Sequence, residues 1–325
     1  MKKSVQDLSP NVKQLLKFYH ENYEFLVHRE LTLDATEKIF LGESKSRSCR
    51  YCGATDDGRF KKVAHALPEA IGNKCLISLD ECDECNDFFG RTMDEHLANY
   101  LGIHRTVQQI RGKSGVPKYG VPGKNPRLWR EGPNQFLATA QFDDDFLEID
   151  ASGQKGTIKG FKQPYRPKAV FKCLVKMAIA VMPPDEIPNF EGTLAWLRRE
   201  ERLDQTNSRS VFCFTSISQM TRNGIDVTLM RRRNPVAKLP YISFFIAFSK
   251  LTFQIFLPFC KADEHFVGES VQIHRFPNRA EMIGTVSYGQ LDLSSNELVR
   301  DQPDDIHFEI GPPGIIIQKM SGSDE

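Results

Sequence analysis

Four cysteines in two CxxC pairs, Cys49/Cys52 and Cys82/Cys85, carry the clearest chemistry in this 325-residue chain. Each pair offers two thiolates from one tight turn. Four thiolates close a tetrahedral shell around zinc and leave no open position. Zinc held this way is structural, so any reaction chemistry must lie beside it. Two polar side chains are placed by the knuckles. His65 is the lone histidine between the pairs, and Asn86 directly follows Cys85. Pinning Cys85 to a metal pins Asn86 as well. The chain between the knuckles becomes a closed loop that presents His65 at a set distance from Asn86.

In order along the chain come CRYC, then AHALPEAIGNK, then CDECNDFFG followed by Met93 and Asp94. This stretch resembles the HNH endonucleases of the ββα-metal class, in the subgroup that carries a four-cysteine zinc site. The resemblance implies a β-hairpin ending at His65 and a helix starting near Asn86, with one divalent cation, Mg²⁺ or Mn²⁺, cradled between them. It implies His65 as general base and Asn86 as a ligand of the catalytic cation. It also implies double-stranded DNA as substrate and products with 3′-hydroxyl and 5′-phosphate ends. Two positions depart from the family. Many members carry an acidic residue or a histidine before the general base, where this chain has Ala64; either the subgroup does without that ligand, or Glu69, Asp83 or Asp94 replaces it, or catalysis is weak. Where some members place a second helical histidine, this chain has Gly90. A cation with fewer protein ligands keeps more water, which suits Mg²⁺.

The residue types fit the chemistry. Phosphodiester hydrolysis needs a water made nucleophilic near neutral pH, and histidine has the unperturbed pKa to take its proton. A cation offsets the negative charge that builds on the phosphate and the leaving oxygen. Other roles stand beside these. His65 could instead close a strand as a packed histidine. Asn73, after Gly72, either makes a turn or, in the family reading, orients the loop carrying the histidine. Glu69, after Pro68, either supports a helical turn or helps the metal. His96 and His104 read as partly exposed histidines, and Cys75 as a small buried residue.

A second feature is electrostatic. Net charge is +1, so bulk charge names no partner. Between Leu101 and Arg130, however, Arg105, Arg111, Lys113, Lys118, Lys124, Arg127 and Arg130 occur without one Asp or Glu. The segment is rich in Gly and Pro. Such a backbone can approach phosphates, and its cations can displace condensed counterions. Together with Arg91, residues Arg105, Arg111, Lys113, Lys118 and Lys124 are the candidate nucleic-acid contacts. Tyr119 and Trp129 could stack on bases or simply pack. The bland alternative is a solvated linker.

The elements around these residues predict an α+β chain: the zinc-stabilised ββα module plus a mixed or antiparallel sheet domain with helices. The divisions are 1–47, an N-terminal helical segment; 48–104, the nuclease-like module; 105–132, the basic connector; and 133–325, a C-terminal domain for substrate positioning or sensing. Ser9 as N-cap and Pro10 at the first helical position predict a helix over 9–27. A helix is expected over 86–101. Residues 168–182 read as an apolar helix whose Lys168, Lys172 and Lys176 form one stripe, a solvated edge or, alternatively, a phosphate-binding face. A further helix is expected over 192–203. Residues 210–260 read as an antiparallel meander with strands at 211–218, 224–232, 239–248 and 251–258. The run Arg231–Arg233 reads as edge protection or anion contact. Asp143–Asp145 reads as a solvated turn, and residues 270–318 as irregular with short strands.

No apolar run suits a membrane span. The opening MKKSVQDLSP lacks the apolar core of a secretory segment, and eight cysteines fit a reducing compartment, so a cytoplasmic protein is expected. Three readings follow: a metal-dependent DNA endonuclease, a zinc-stabilised nucleic-acid binder without catalysis, or an effector nuclease silent until a ligand, such as a nucleotide, or a partner subunit acts on the C-terminal domain. A homo-oligomer is a further option. The usual company of such modules adds a setting in bacterial anti-phage or mobile-element defence.

Overall fold

The computed structural model describes residues 9–32, 37–120, 127–132, 135–139, 146–199, 212–218, 221–266, 268–282 and 285–310. The expected positions Lys124 and Asp143–Asp145 and the last residues of the 192–203 helix lie outside these.

The chain opens with helix α1 (Pro10–Asn22), capped as its sequence predicts: the Ser9 side chain accepts from the Val12 amide, with Pro10 in the first turn. The helix stops five residues before the expected end. Tyr23 turns extended and begins strand β1 (Tyr23–Thr32). Tyr19, Tyr23, Met230 and Leu239 pack together, so α1 lies against the large sheet. That packing overrides the helical spacing that runs on through Leu26.

Three short strands frame the knuckles: β2 (Ile39–Leu41), β3 (Ala64–His65) and β4 (Leu76–Ser78), in the order β2–β4–β3. β3 is antiparallel to β4, with His65 opposite Ile77, and β2 is parallel to β4. Helix α2 (Asp83–Phe89) follows, then a single π-helical turn (Gly90–Asp94) and helix α3 (Glu95–Val107). His65 ends the first strand of the hairpin, and its pairing partner comes later in the chain.

Beyond α3, strands β5 (Tyr119–Gly120), β6 (Arg127–Gly132) and β7 (Gln135–Thr139) form one small sheet. Strands β8 (Leu147–Ile149) and β9 (Lys155–Ile158) form another with β15 (Ile306–Glu309). Helix α4 (Pro167–Val181) is buried at every residue, and α5 (Glu191–Leu197) packs near it through Trp196 and Phe171. The main sheet is antiparallel, ordered β1–β11–β12–β13–β10–β14, where β10 is Phe212–Ser218, β11 Gly224–Arg232, β12 Ile242–Phe248, β13 Leu251–Phe256 and β14 Val286–Asp292.

This corrects the simple meander. β10 pairs with β13 rather than β11, and β1 takes β11's other side. Strand positions are local properties, whereas strand neighbours depend on long-range contacts. Because β11 is internal, the arginine run protects no edge. Arg231 pairs with Glu24 and Glu186, and the buried Arg232 lies 2.7 Å from Asp263.

One continuous hydrophobic core runs from Leu31 through Cys49, Phe89 and α4 to Leu293. The helix is buried all round because the knuckle module covers one side and the sheet the other. Among the described residues, no helix is long and apolar enough to cross a membrane.

Candidate active site and metal centre

The four cysteine sulfurs lie within 4.8 Å of one another, and among the described residues they form the only such cluster of His, Cys, Asp or Glu. Cys52 Sγ and Cys82 Sγ are 3.6 Å apart. A tetrahedron with Zn–S bonds of about 2.3 Å has S–S edges of about 3.8 Å, so the sulfurs are spaced for zinc. Their mutual hydrogen bonding splits their acidities: the contact with Cys85 holds the Cys49 thiol well below the ordinary range. Cys85 is pushed far above the ordinary thiol range, first by its hydrogen bond with Cys49 and then by burial. Four thiolates this close need a cation among them.

Local sequence builds each knuckle. Gly53 takes φ +74° and donates its amide to the Cys49 carbonyl, closing the first turn. Cys82 is the N-cap of α2, and the Asn86 amide bonds to the Cys82 carbonyl at 2.9 Å. Asn86 is therefore held in the first turn of α2, half-exposed, one residue from a metal ligand. Asp83 accepts from the Lys61 and Lys62 amides at 3.2 and 2.8 Å, tying the strand approach to the helix. Both carboxylate oxygens thus help hold the loop.

His65 is half-buried on β3. Burial holds its imidazole below the usual histidine range; Glu69 opposes this, and Lys38, Lys74 and Lys176 add to it. A base that stays neutral in mildly acidic solution is ready to accept a proton. Asn73 is buried and satisfies four backbone groups. Its amide donates to the Leu67 and Leu76 carbonyls, and its oxygen accepts from the Cys75 and Leu76 amides. Gly72, at φ +98°, lets the chain turn into it. Asn73 thus shapes the loop after His65.

Glu69 is engaged at 2.7 Å by Lys74, which also donates to the Gly112 carbonyl. Asp94 ends the π turn. Its carboxyl accepts from the Cys173 thiol at 3.3 Å, and burial raises it, opposed by Lys176 and by His65. The extra residue of a π turn re-aims the side chains after it, and such turns recur at functional sites. Ala64 is buried and brings no ligand atom.

The basic candidates divide. Arg91, Arg111, Lys113 and Lys118 are exposed. Lys118 lies 5.5 Å from the Trp129 ring. Arg105 is on α3, donates to the Ala70 carbonyl and has its basicity lowered by burial. Tyr119 is buried with its hydroxyl donating to the Phe161 carbonyl, so it packs. His96 accepts from the Arg166 amide, and His104 lies 3.4 Å from Asp304.

The residues that sequence reasoning missed come mostly from α4. Lys168, Lys172 and Lys176 are buried rather than solvated. Lys172 donates to the Arg199 carbonyl and lies 4.8 Å from the Trp196 ring. Lys176 sits 3.2 Å from the fully buried Glu81, next to Cys82, in a contact pair poorly aligned for a hydrogen bond. Burial raises Glu81 to about 7, with Lys176 opposing. Lys176 also donates to the His65 carbonyl at 3.1 Å. Arg50, inside the first knuckle, pairs with Asp80 and caps the carbonyls of Ile179, Ala180 and Met182 at the end of α4. A clue was present: the residues flanking these lysines are apolar on every face of the helix, which leaves no polar side for them to join.

Residues 49–101 match the family model described as HNH endonuclease. The segment carries the close four-cysteine cluster of the zinc-binding form. No curated protein and no solved structure matches the chain.

Proposed function

We propose that the protein is a metal-dependent endonuclease that hydrolyses DNA phosphodiester bonds. The observation supporting this most is the pairing of a zinc-spaced cysteine cluster with a desolvated histidine on the neighbouring hairpin, inside a segment that matches HNH endonucleases. Cys49, Cys52, Cys82 and Cys85 hold the structural zinc. His65 takes the proton from the attacking water at an imidazole nitrogen. Asn86, with Asp94 as a second candidate and Glu69 as a weaker one, would hold Mg²⁺ or Mn²⁺. That cation, when bound, stabilises charge on the leaving oxygen. Asn73 keeps the loop after His65 in shape. Exposed Arg91, Arg111, Lys113 and Lys118 contact phosphates without reading bases. A role in anti-phage or mobile-element defence rests on the resemblance alone, and a phage-plating assay with and without His65 tests it.

Supercoiled plasmid incubated with Mg²⁺, Mn²⁺ or EDTA tests the reading. Nicking with either cation, abolished by EDTA and by His65→Ala at unchanged zinc content, supports it. Equal cutting by His65→Ala protein sinks it. A second reading, a zinc-stabilised DNA binder, is favoured by the missing ligand at Ala64. It predicts plasmid retention in a gel under all three conditions with no cutting.

A further inference from the structure

We propose that Lys176 of helix α4, outside the matched nuclease segment, is a positioning residue for the general base: its ammonium holds the His65 carbonyl and locks β3 to the knuckle that carries Cys82. The proposal rests on the endonuclease reading and adds a residue to it.

Strand β3 is only two residues long, so its ladder alone holds His65 weakly. On its C-terminal side the Ala66 amide reaches the Leu76 carbonyl at 3.1 Å. A further main-chain anchor comes from Lys176, which donates to the His65 carbonyl at 3.1 Å. The same ammonium lies 3.2 Å from Glu81, whose side chain is fully buried, and 5.9 Å from the Phe89 ring. It also stands within electrostatic range of Asp94. One buried cation therefore joins β3, the residue before Cys82, α2 and the π turn.

The side chain has no freedom to leave. Lys176 is 1% exposed, and its backbone is clamped as well. The Lys176 carbonyl accepts from the Tyr51 hydroxyl in the first knuckle, and about one turn on Arg50 caps the end of α4 at the carbonyls of Ile179, Ala180 and Met182. A buried ammonium is costly unless paired, and here each contact goes to the nuclease module rather than to the sheet. Stability alone is served by an apolar residue at this position. A charge placed here instead fixes one register of β3 against α4. The imidazole also faces Glu69, Lys38 and Lys74, so Lys176 is one of several charges around it. It alone among them bonds to the His65 backbone, among the described contacts.

The test pairs two neutralised variants, Lys176→Met/Glu81→Gln and Lys176→Gln/Glu81→Gln, which remove the ammonium together with the Glu81 charge facing it. Zinc content, thermal midpoint, steady-state plasmid cutting and the His65 titration are measured for each; the titration is read by NMR and assigned by a His65→Gln control. The expected result is kcat lowered at least tenfold, KM within threefold, zinc retained, and a His65 titration shifted upward. Parent-like kcat together with a parent-like His65 titration overturns the proposal. Loss of zinc and of the folded spectrum in both variants also overturns it, since the residue would then hold up the fold instead of setting one imidazole. If the parent protein cuts no DNA, the endonuclease reading fails, and the His65 titration still decides the positioning role.

Discussion

Lys176 on α4 stands 3.2 Å from Glu81 and 3.1 Å from the carbonyl oxygen of His65, with its side chain shut off from solvent. The helix that centres the large core therefore also reaches the backbone of His65, the proposed base. The zinc-knuckle segment and the main sheet meet across one core.

Zinc should be inseparable from the folded module. The double variant Cys82→Ser/Cys85→Ser is expected to lose metal and the cooperative unfolding of residues 49–101, because a structural zinc site contributes its binding free energy directly to folding. Metal analysis and hydrogen exchange on purified protein check this. Retention of native exchange protection in the metal-free variant contradicts it.

His65 should govern rate. His65→Ala is expected to lower cutting by about 10²-fold or more, the usual contribution of a general base. Zinc content should not change. The acid limb of the pH–rate profile for the parent protein should fall below pH 6.5, because burial, with help from Lys38, Lys74 and Lys176, favours the neutral ring. The sign is fixed: a lowered pKa keeps the base unprotonated to lower pH. A limb above 6.5 contradicts the assignment.

Asn73→Ala should destabilise the protein by about 2–4 kcal/mol, since it strands buried donors and acceptors at Leu67, Cys75 and Leu76. Urea titration measures the loss. Cutting should fall with it at temperatures where the variant remains folded, because the loop carrying the histidine is no longer pinned.

Arg50→Ala should cost about 3 kcal/mol by leaving Asp80 unpaired and the last carbonyls of α4 uncapped. Its thermal midpoint, compared with that of an exposed-site control such as Lys113→Ala, separates this from a general surface effect. A midpoint matching the control shows that the clamp contributes nothing.

What could be read without coordinates was chemistry set by short spacing. The CxxC pairs announced a four-sulfur centre, since a tight turn brings cysteines three apart to one metal wherever it occurs. Ser9 and Pro10 announced the start of α1, and the apolar runs within 210–260 announced β10 to β13, four of the six strands of the main sheet. Such signals are carried by neighbours in the chain. Tertiary structure decided the rest. It ended α1 at Asn22, placed β10 beside β13, buried the lysines of α4 and turned Arg231 and Arg232 onto carboxylates. Glu81 is 95 positions before Lys176 in the chain, and no periodicity links them. A charge in a helix reads as solvated until its distant counter-charge is known, because the balance between desolvation and pairing belongs to the folded packing and not to the local sequence.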